Sequence, residues 1–346
     1  MDFPAWDPVL FDIPGLPIDI RWYGLMYVVG FLAGQAILTR LARAGFFPVA
    51  PERVGDLIFY TVIGVLLGGR IGYSVFYDQA LLSPLKFLQV WGGGLSFHGG
   101  LVGVCVAFWL FARKHKLPAL RVGDACALAV TPGIFAVRIA NFVNGELYGR
   151  VTEAGTGWAM RFPTDPVAQR LLGIQEGWTM RDRELCVQVA YGHRAFADVQ
   201  PLLSKTDGLG RPIPWDAIAK GLDWNAVKDQ VPFRHPSQVY EALGEGLVLG
   251  VLLFGVYATT RTRPFAPGFY GGLFLVGYAA ARFPIEFLRQ PDAQFTGPDD
   301  PVGTVLLGLT MGQTLCVAMA LAGLAFAWHG RNRLPAPPVP GGLRAT

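Results

Sequence analysis

Apolar residues gather into seven long runs separated by polar segments. The runs cover roughly residues 21–40, 54–77, 97–113, 123–143, 239–260, 267–288 and 306–329. Each approaches the ~20 residues that a helix needs to cross a bilayer. The pattern therefore predicts an all-α integral membrane protein with about seven transmembrane helices. Residues 1–143 carry spans one to four, and residues 237–330 carry spans five to seven. Between them, residues 144–236 are too long and too polar for a turn. Their proline, glycine, tryptophan and mixed charge, as in "WDAIAKGLDWNAVKDQ", read as a small inserted domain of mixed structure. Residues 331–346 read as a proline-rich, disordered tail.

Charge orients the runs. One set of connecting segments holds Arg40, Arg43 and Arg53; then Arg113, Lys114, Lys116 and Arg121; then Arg261 and Arg263; then Arg331, Arg333 and Arg344. The alternate set holds little beyond Arg21, Lys86 and Arg289. By the positive-inside rule the first set is cytoplasmic. The N-terminus and the insertion then lie on the extracytoplasmic side, and the C-terminus in the cytoplasm. The acidic, proline-rich start lacks the basic and apolar regions of a cleaved signal peptide. Composition agrees with a membrane chain. Of 346 residues, 52% are hydrophobic and 16% charged, against about 25% charged in soluble domains; mean hydropathy is +0.38. A net charge of +4 gives no ground for a nucleic-acid partner. Cys105, Cys126, Cys186 and Cys316 are scattered without metal-ligand spacing. Neither a disulfide framework nor a metal site is expected.

Polar side chains inside such runs are costly and point to function. In "PGIFAVRIANFVNGELYGR", Arg138 and Asn141 are helical neighbours and Asn144 follows a step later. Gly145 is expected to loosen the helix and leave Glu146 at the outer face. In "GYAAARFPIEFLRQPDAQ", Tyr278, Arg282 and Glu286 stand at i, i+4 and i+8, forming one stripe, with Arg289 just beyond. Pro284 should kink or weaken that helix. His98 opens the third run within "WGGGLSFHGG", and Tyr23 opens the first within "RWYGLMY". In "RHPSQVYE", Ser237 is expected to cap the fifth run, with Tyr240 and Glu241 in its first turn. Given the orientation above, all these groups fall at one depth, the outer leaflet.

Each residue alone has a structural explanation. Arg282 and Glu286 form an i,i+4 ion pair, Arg138 snorkels to the interface, and the tyrosines belong to an aromatic belt. His98 caps or packs, and the glycines beside it allow close helix packing or a backbone approach to a ligand. "GGRIGYS" has no strand before it, so its small residues serve span packing rather than a dinucleotide. Together the residues read otherwise. Two arginines aimed at one outer-leaflet site suit a phosphate, which arginine holds bidentately. An acidic lipid headgroup is the phosphate at that depth. A nearby histidine and carboxylate can move a proton. The residues thus point to a lipid-handling enzyme open to the outer side.

"VRIANFVNGELYGR" closely resembles the signature of the bacterial prolipoprotein diacylglyceryl transferases. That pattern is Gly-Arg-x-Gly/Ala-Asn-Phe-apolar-Asn-x-Glu-x-x-Gly, met here at Arg138, Ala140, Asn141, Phe142, Val143, Asn144, Glu146 and Gly149. Val137 stands where the pattern has glycine. "RWYGLMYVVGF", "LGGRIGYSVFYD", "GGGLSFHGGLVG", "RHPSQVYE" and "EFLRQPDAQFTG" resemble further family blocks in family order, and together they span nearly the whole chain. The segment from about 151 to 233 looks longer than the family usually has and holds no family motif.

The resemblance implies a seven-helix protein of the bacterial inner membrane. It implies transfer of the diacylglyceryl group of phosphatidylglycerol to the lipobox cysteine thiol in the signal peptide of a preprolipoprotein. The products are a thioether and glycerol 1-phosphate, and no cofactor or metal is expected. Arg138 and Arg282 are the implied phosphate ligands, and His98 the group that takes the thiol proton or orients the headgroup glycerol. Tyr23, Asn141, Asn144, Glu146, Gly149, Tyr240, Tyr278, Glu286 and Arg289 are the implied substrate-binding residues, with Arg289 and Asp292 at the outer rim. Two other classes compete. A transporter with an Arg/Glu/His path should show paired broken helices in two matching halves, and no internal repeat is visible. An intramembrane protease needs an Asp pair, a Ser with a base or an HExxH site, and the apolar runs hold none.

Overall fold

Each apolar run is built on a helix. In the computed structural model these are α1 (Trp22–Arg43), α2 (Val54–Phe76), α3 (Phe97–His115), α4 (Ala119–Val143), α7 (Ser237–Thr260), α8 (Phe269–Ile285) and α9 (Met311–His329). The insertion contributes α5 (Pro166–Leu171), α6 (Met180–Ala190) and shorter turns. The structure describes residues 1–76, 87, 94–291, 296 and 300–335, apart from residues 2, 5, 13–18, 176 and 301. Asp292 and the tail beyond residue 335 lie outside these residues.

Among the described residues, five helical stretches are long and apolar enough to cross a membrane: α1, Pro51–Phe76, α4, α7 and α9. Their most apolar windows are only 17% to 50% buried within the fold. At least half of each apolar window is therefore left uncovered by the fold, which water would penalise and hydrocarbon does not. The protein is a multi-pass membrane protein. Helix ends follow local chemistry. Basic residues close α1 (Arg40, Arg43) and α3 (Arg113, Lys114, His115), where the helix dipole favours them. Ser96 caps α3, its hydroxyl oxygen accepting the Gly99 amide at 3.3 Å.

Several expectations need correction. The last run does not become helix at 306. Residues Thr304–Leu306 and Leu309–Thr310 pair as an antiparallel hairpin, β3 and β4. Its two-residue turn, Leu307 and Gly308, has φ of 51° and 75°, as a type I′ turn requires. A second hairpin pairs β1 (Val9–Asp12) with β2 (Asp19–Arg21), so the fold is mostly rather than wholly helical. Ser237 does not cap α7: Pro236 holds that position, and the Ser237 hydroxyl donates to the Leu147 carbonyl at 2.9 Å. Arg121 is not a loop charge. It lies in α4, 5% exposed, paired with Asp124 at 3.4 Å and donating to the Phe265 carbonyl at 2.8 Å.

The chain forms two compact units that interleave in sequence. The first takes residues 1–27, 136–243 and 282–314, and the second residues 28–135, 244–281 and 315–346. The second unit has an apolar core that includes Leu38, Phe47, Leu57, Phe111, Leu128 and Tyr270. Within it α2 and α3 cross on glycine: a methyl on Gly68 would strike the Gly99 carbonyl, and one on Gly103 the Gly64 carbonyl. These small residues serve helix packing, as read from the sequence. In the first unit the insertion has a core of its own, with Leu172, Trp178, Cys186 and Trp224.

Candidate active site

The signature segment ends α4 in a way that its sequence dictates. Gly145 has φ +64°. Its amide donates to the Phe142 carbonyl at 2.9 Å, and the Glu146 amide to the Asn141 carbonyl at 3.0 Å. This pair of bonds is the Schellman arrangement, in which glycine takes the left-handed position that ends a helix. The chain then doubles back. The Glu146 carboxylate accepts from Asn141 Nδ2 at 2.9 Å and from Asn144 Nδ2 at 3.1 Å. Three signature residues thus form one hydrogen-bonded group beside Arg138.

Three arginines of the first unit meet on one carboxylate. Arg138 from α4 pairs with Glu241 Oε2 at 3.0 Å. Arg282 from α8 and Arg289 from the segment after it each donate to Glu241 Oε1 at 3.1 Å. Glu241 is 0% exposed, whereas the arginine side chains keep 13% to 20%. Glu241 directly precedes the π-helical stretch Ala242–Val248 of α7, a deformation frequent at functional sites. Sequence reading placed Glu241 in the first turn of the fifth run but gave it no role. Its available signal was the block "RHPSQVYE".

Arg282 also grips Glu286, at 2.7 Å, so the expected i,i+4 pair forms. Glu286 in turn accepts from the Thr310 hydroxyl at 3.1 Å. Thr310 and Gln313 cap each other's backbone amides at 3.2 and 3.1 Å, a capping box legible in "TMGQ". Gly149 joins two segments: its amide donates to the His235 carbonyl at 2.7 Å, and it pairs in antiparallel register with Arg289. A methyl there would lie 2.8 Å from His235 Cβ and strike the Leu288 carbonyl, so the close approach requires glycine.

The remaining expected residues are placed as follows. Tyr23 packs edge-on to Tyr27, their hydroxyls 3.2 Å apart. Tyr240 stacks against Trp158 with ring centroids 6.1 Å apart; Trp158 holds a left-handed φ of 63°, a strained setting for a large side chain. His98 and Tyr278 belong to the second unit. His98 is exposed in the first turn of α3. Tyr278 packs on Phe274, at 5.9 Å between centroids, and on that unit's core. Among the described residues no group of three or more His, Cys, Asp or Glu is arranged to hold a metal. The first unit therefore brings together Arg138, Arg282, Arg289, Glu241 and Glu286, with Asn141, Asn144, Glu146 and Gly149 adjoining in the signature loop. Preorganised guanidinium groups at such a place can bind a phosphate and stabilise charge that develops on it.

A family model described as prolipoprotein diacylglyceryl transferase matches residues 8–329. The chain is 39% identical over 345 residues to the phosphatidylglycerol–prolipoprotein diacylglyceryl transferase of Rhodospirillum rubrum, covering 99% of this chain and 98% of that one. It is 38% identical over 336 residues to the protein of that name from Idiomarina loihiensis, covering 96% of each. It is 36% identical over 345 residues to that of Ruegeria pomeroyi, covering 96% and 97%.

Proposed function

We propose that this chain, which belongs to the prolipoprotein diacylglyceryl transferase family, moves the diacylglyceryl group of phosphatidylglycerol onto the lipobox cysteine thiol of a preprolipoprotein. The observation that carries the reading is the meeting of Arg138, Arg282 and Arg289 on buried Glu241. The reaction is a displacement at the glycerol carbon that bears the phosphate. A carbon–sulfur bond forms, the carbon–oxygen bond breaks, and the electron pair leaves on a phosphate oxygen. A phosphodiester with one negative charge becomes a monoester with two. Groups that bind the second charge better than the first accelerate the step. A guanidinium has five donors, so one arginine can hold a carboxylate and a phosphate oxygen together. Glu241 and Glu286 fix where the guanidinium groups point.

The nucleophile comes with the acceptor peptide, and its thiol has a free pKa near ~8.5. Arginine charge favours the thiolate, and His98 takes the proton or orients the headgroup glycerol. Asn141, Asn144 and Glu146 bind the glycerol hydroxyls; Tyr23, Tyr240 and Tyr278 place the headgroup. The charge pattern supports seven spans in the inner membrane, with the insertion and the site on the outer side and the C-terminus in the cytoplasm. The transporter alternative has no observation in its favour.

The test uses purified protein in detergent with phosphatidylglycerol and a lipobox peptide, following release of glycerol phosphate. Release should require the peptide cysteine, and Arg138→Ala or Arg282→Ala should lower it by about 100-fold or more. His98→Ala separates proton transfer from positioning: a positioning role leaves substantial activity. A folded wild-type protein with no cysteine-dependent release overturns the reading.

A further inference from the structure

Residues 162–165 of the insertion touch the signature loop repeatedly. Phe162 is fully buried and stacks on Tyr148, with centroids 4.9 Å apart and planes at 26°. Thr164 donates its hydroxyl to the Gly145 carbonyl, and its own carbonyl accepts the Tyr148 hydroxyl at 3.2 Å. Burial, with the Asp165 charge adding to it, pushes the Tyr148 phenol up to about 12, so it stays protonated and remains a donor. Asp165 is fully buried. One of its oxygens caps α5, accepting the Val167 amide at 2.7 Å. The other accepts Arg234 Nε.

Arg234 carries the connection to the arginine cluster. Its Nη1 donates to the Gly149 carbonyl at 3.3 Å and to Gln290 Oε1 at 2.7 Å. Those acceptors bracket Arg289: Gly149 is its backbone partner and Gln290 its chain neighbour. Arg289 then donates to Glu241. Buried ion pairs add little net stability over apolar packing of the same volume. What a planar, multidentate guanidinium supplies is fixed geometry, and here that geometry spans the insertion, the signature loop and the segment after α8.

We propose that residues 162–165 brace the signature loop, and that Asp165 and Arg234 are positioning residues for Arg289. The insertion is thereby part of what holds the catalytic geometry. The kinetic consequence rests on the transferase reading above; the mechanical one does not.

The experiment compares Asp165→Asn, Arg234→Gln and the double variant with wild type, in the full-length protein. Kinetics and thermal unfolding are measured together, with hydrogen exchange at Gly149 and Arg150, whose amides donate to the His235 and Leu288 carbonyls. A misplacement of about 1 Å can cost about 100-fold in rate, so each single variant should lower kcat by about 10-fold or more. KM for lipid and peptide should stay within about threefold, since Arg289 is shifted rather than removed and what weakens is its hold on the charge that develops in the transition state. The double variant should be no worse than the worse single one, because the two residues act as one unit. Gly149 and Arg150 should lose exchange protection in all three variants. Leu172→Ala in the insertion core should lower the unfolding temperature without changing kcat. The proposal is overturned if the Asp165 and Arg234 variants unfold earlier yet keep wild-type kcat below their transition, or if Leu172→Ala loses kcat equally. If wild type itself shows no cysteine-dependent release, the transferase reading fails alone. Exchange at Gly149 and Arg150 then still decides the brace: unchanged protection in the variants overturns it.

Discussion

Glu241 shows what a single buried charge can organise. It is fully buried, and three guanidinium groups reach its two oxygens, one from α4 and two from the end of α8 and the segment directly after it. Glu241→Gln preserves the shape and removes the charge. Breaking one side of a buried ion pair costs about 3–5 kcal/mol, so the variant should lose about that much stability in detergent unfolding, along with most of its transferase rate. A Glu241→Gln protein as stable and as active as wild type would remove the carboxylate from the centre of the site. This residue also marks the limit of sequence reading. Arg138, Asn141, Asn144 and Glu146 were legible because they lie within nine positions of one another, where helical spacing predicts contact. Glu241 meets Arg282 and Arg289 across 41 and 48 positions, a separation about which periodicity says nothing. Arg234 and Asp165, 69 positions apart, were hidden for the same reason.

Among the helices, glycine divides into two kinds that hydropathy cannot separate. Gly103 packs against the backbone of α2, where an added methyl has no room. Gly255 in α7 has nothing within 4 Å of an added Cβ. Overpacking costs about 1–3 kcal/mol, whereas glycine to alanine in an open helix interior gains up to about 1 kcal/mol. Gly103→Ala should therefore unfold at lower temperature than wild type, and Gly255→Ala at the same or higher temperature. Equal behaviour of the two variants would mean that α2 and α3 do not meet as closely as described. The helices were legible as apolar runs, and their ends less so. "TVLLGLT" reads as a continuation of the last run, because a two-stranded hairpin of apolar residues leaves no polar gap. The Leu307–Gly308 turn lies inside it, and β4 runs directly into α9 at Met311. Ser237 has the residue type of a cap, but Pro236 precedes it and the Leu147 carbonyl takes its hydroxyl instead.

For the whole molecule, the functional reading depends on which side of the membrane the insertion occupies. If it lies outside, the arginine cluster that it adjoins faces the outer leaflet, where secreted preprolipoproteins emerge. Lys220 in the insertion and Arg261 between α7 and α8 are both exposed and far from the cluster in sequence. Lys220→Cys should react with a membrane-impermeant maleimide in intact spheroplasts, and Arg261→Cys only after lysis. The background inside the insertion is low. Burial, with Asp182 adding to it, pushes the Cys186 thiol up to about 12, and a protonated thiol is unreactive at neutral pH. The opposite pattern, with Arg261→Cys labelled in intact spheroplasts and Lys220→Cys protected, would turn the cluster toward the cytoplasm. The acceptor cysteine would then have to be modified before export. That outcome would set the positive-inside assignment aside, even though every short connecting segment agrees with it. Labelling as expected instead places the brace, the signature loop and the arginines on the side where lipid headgroup and exported thiol can meet.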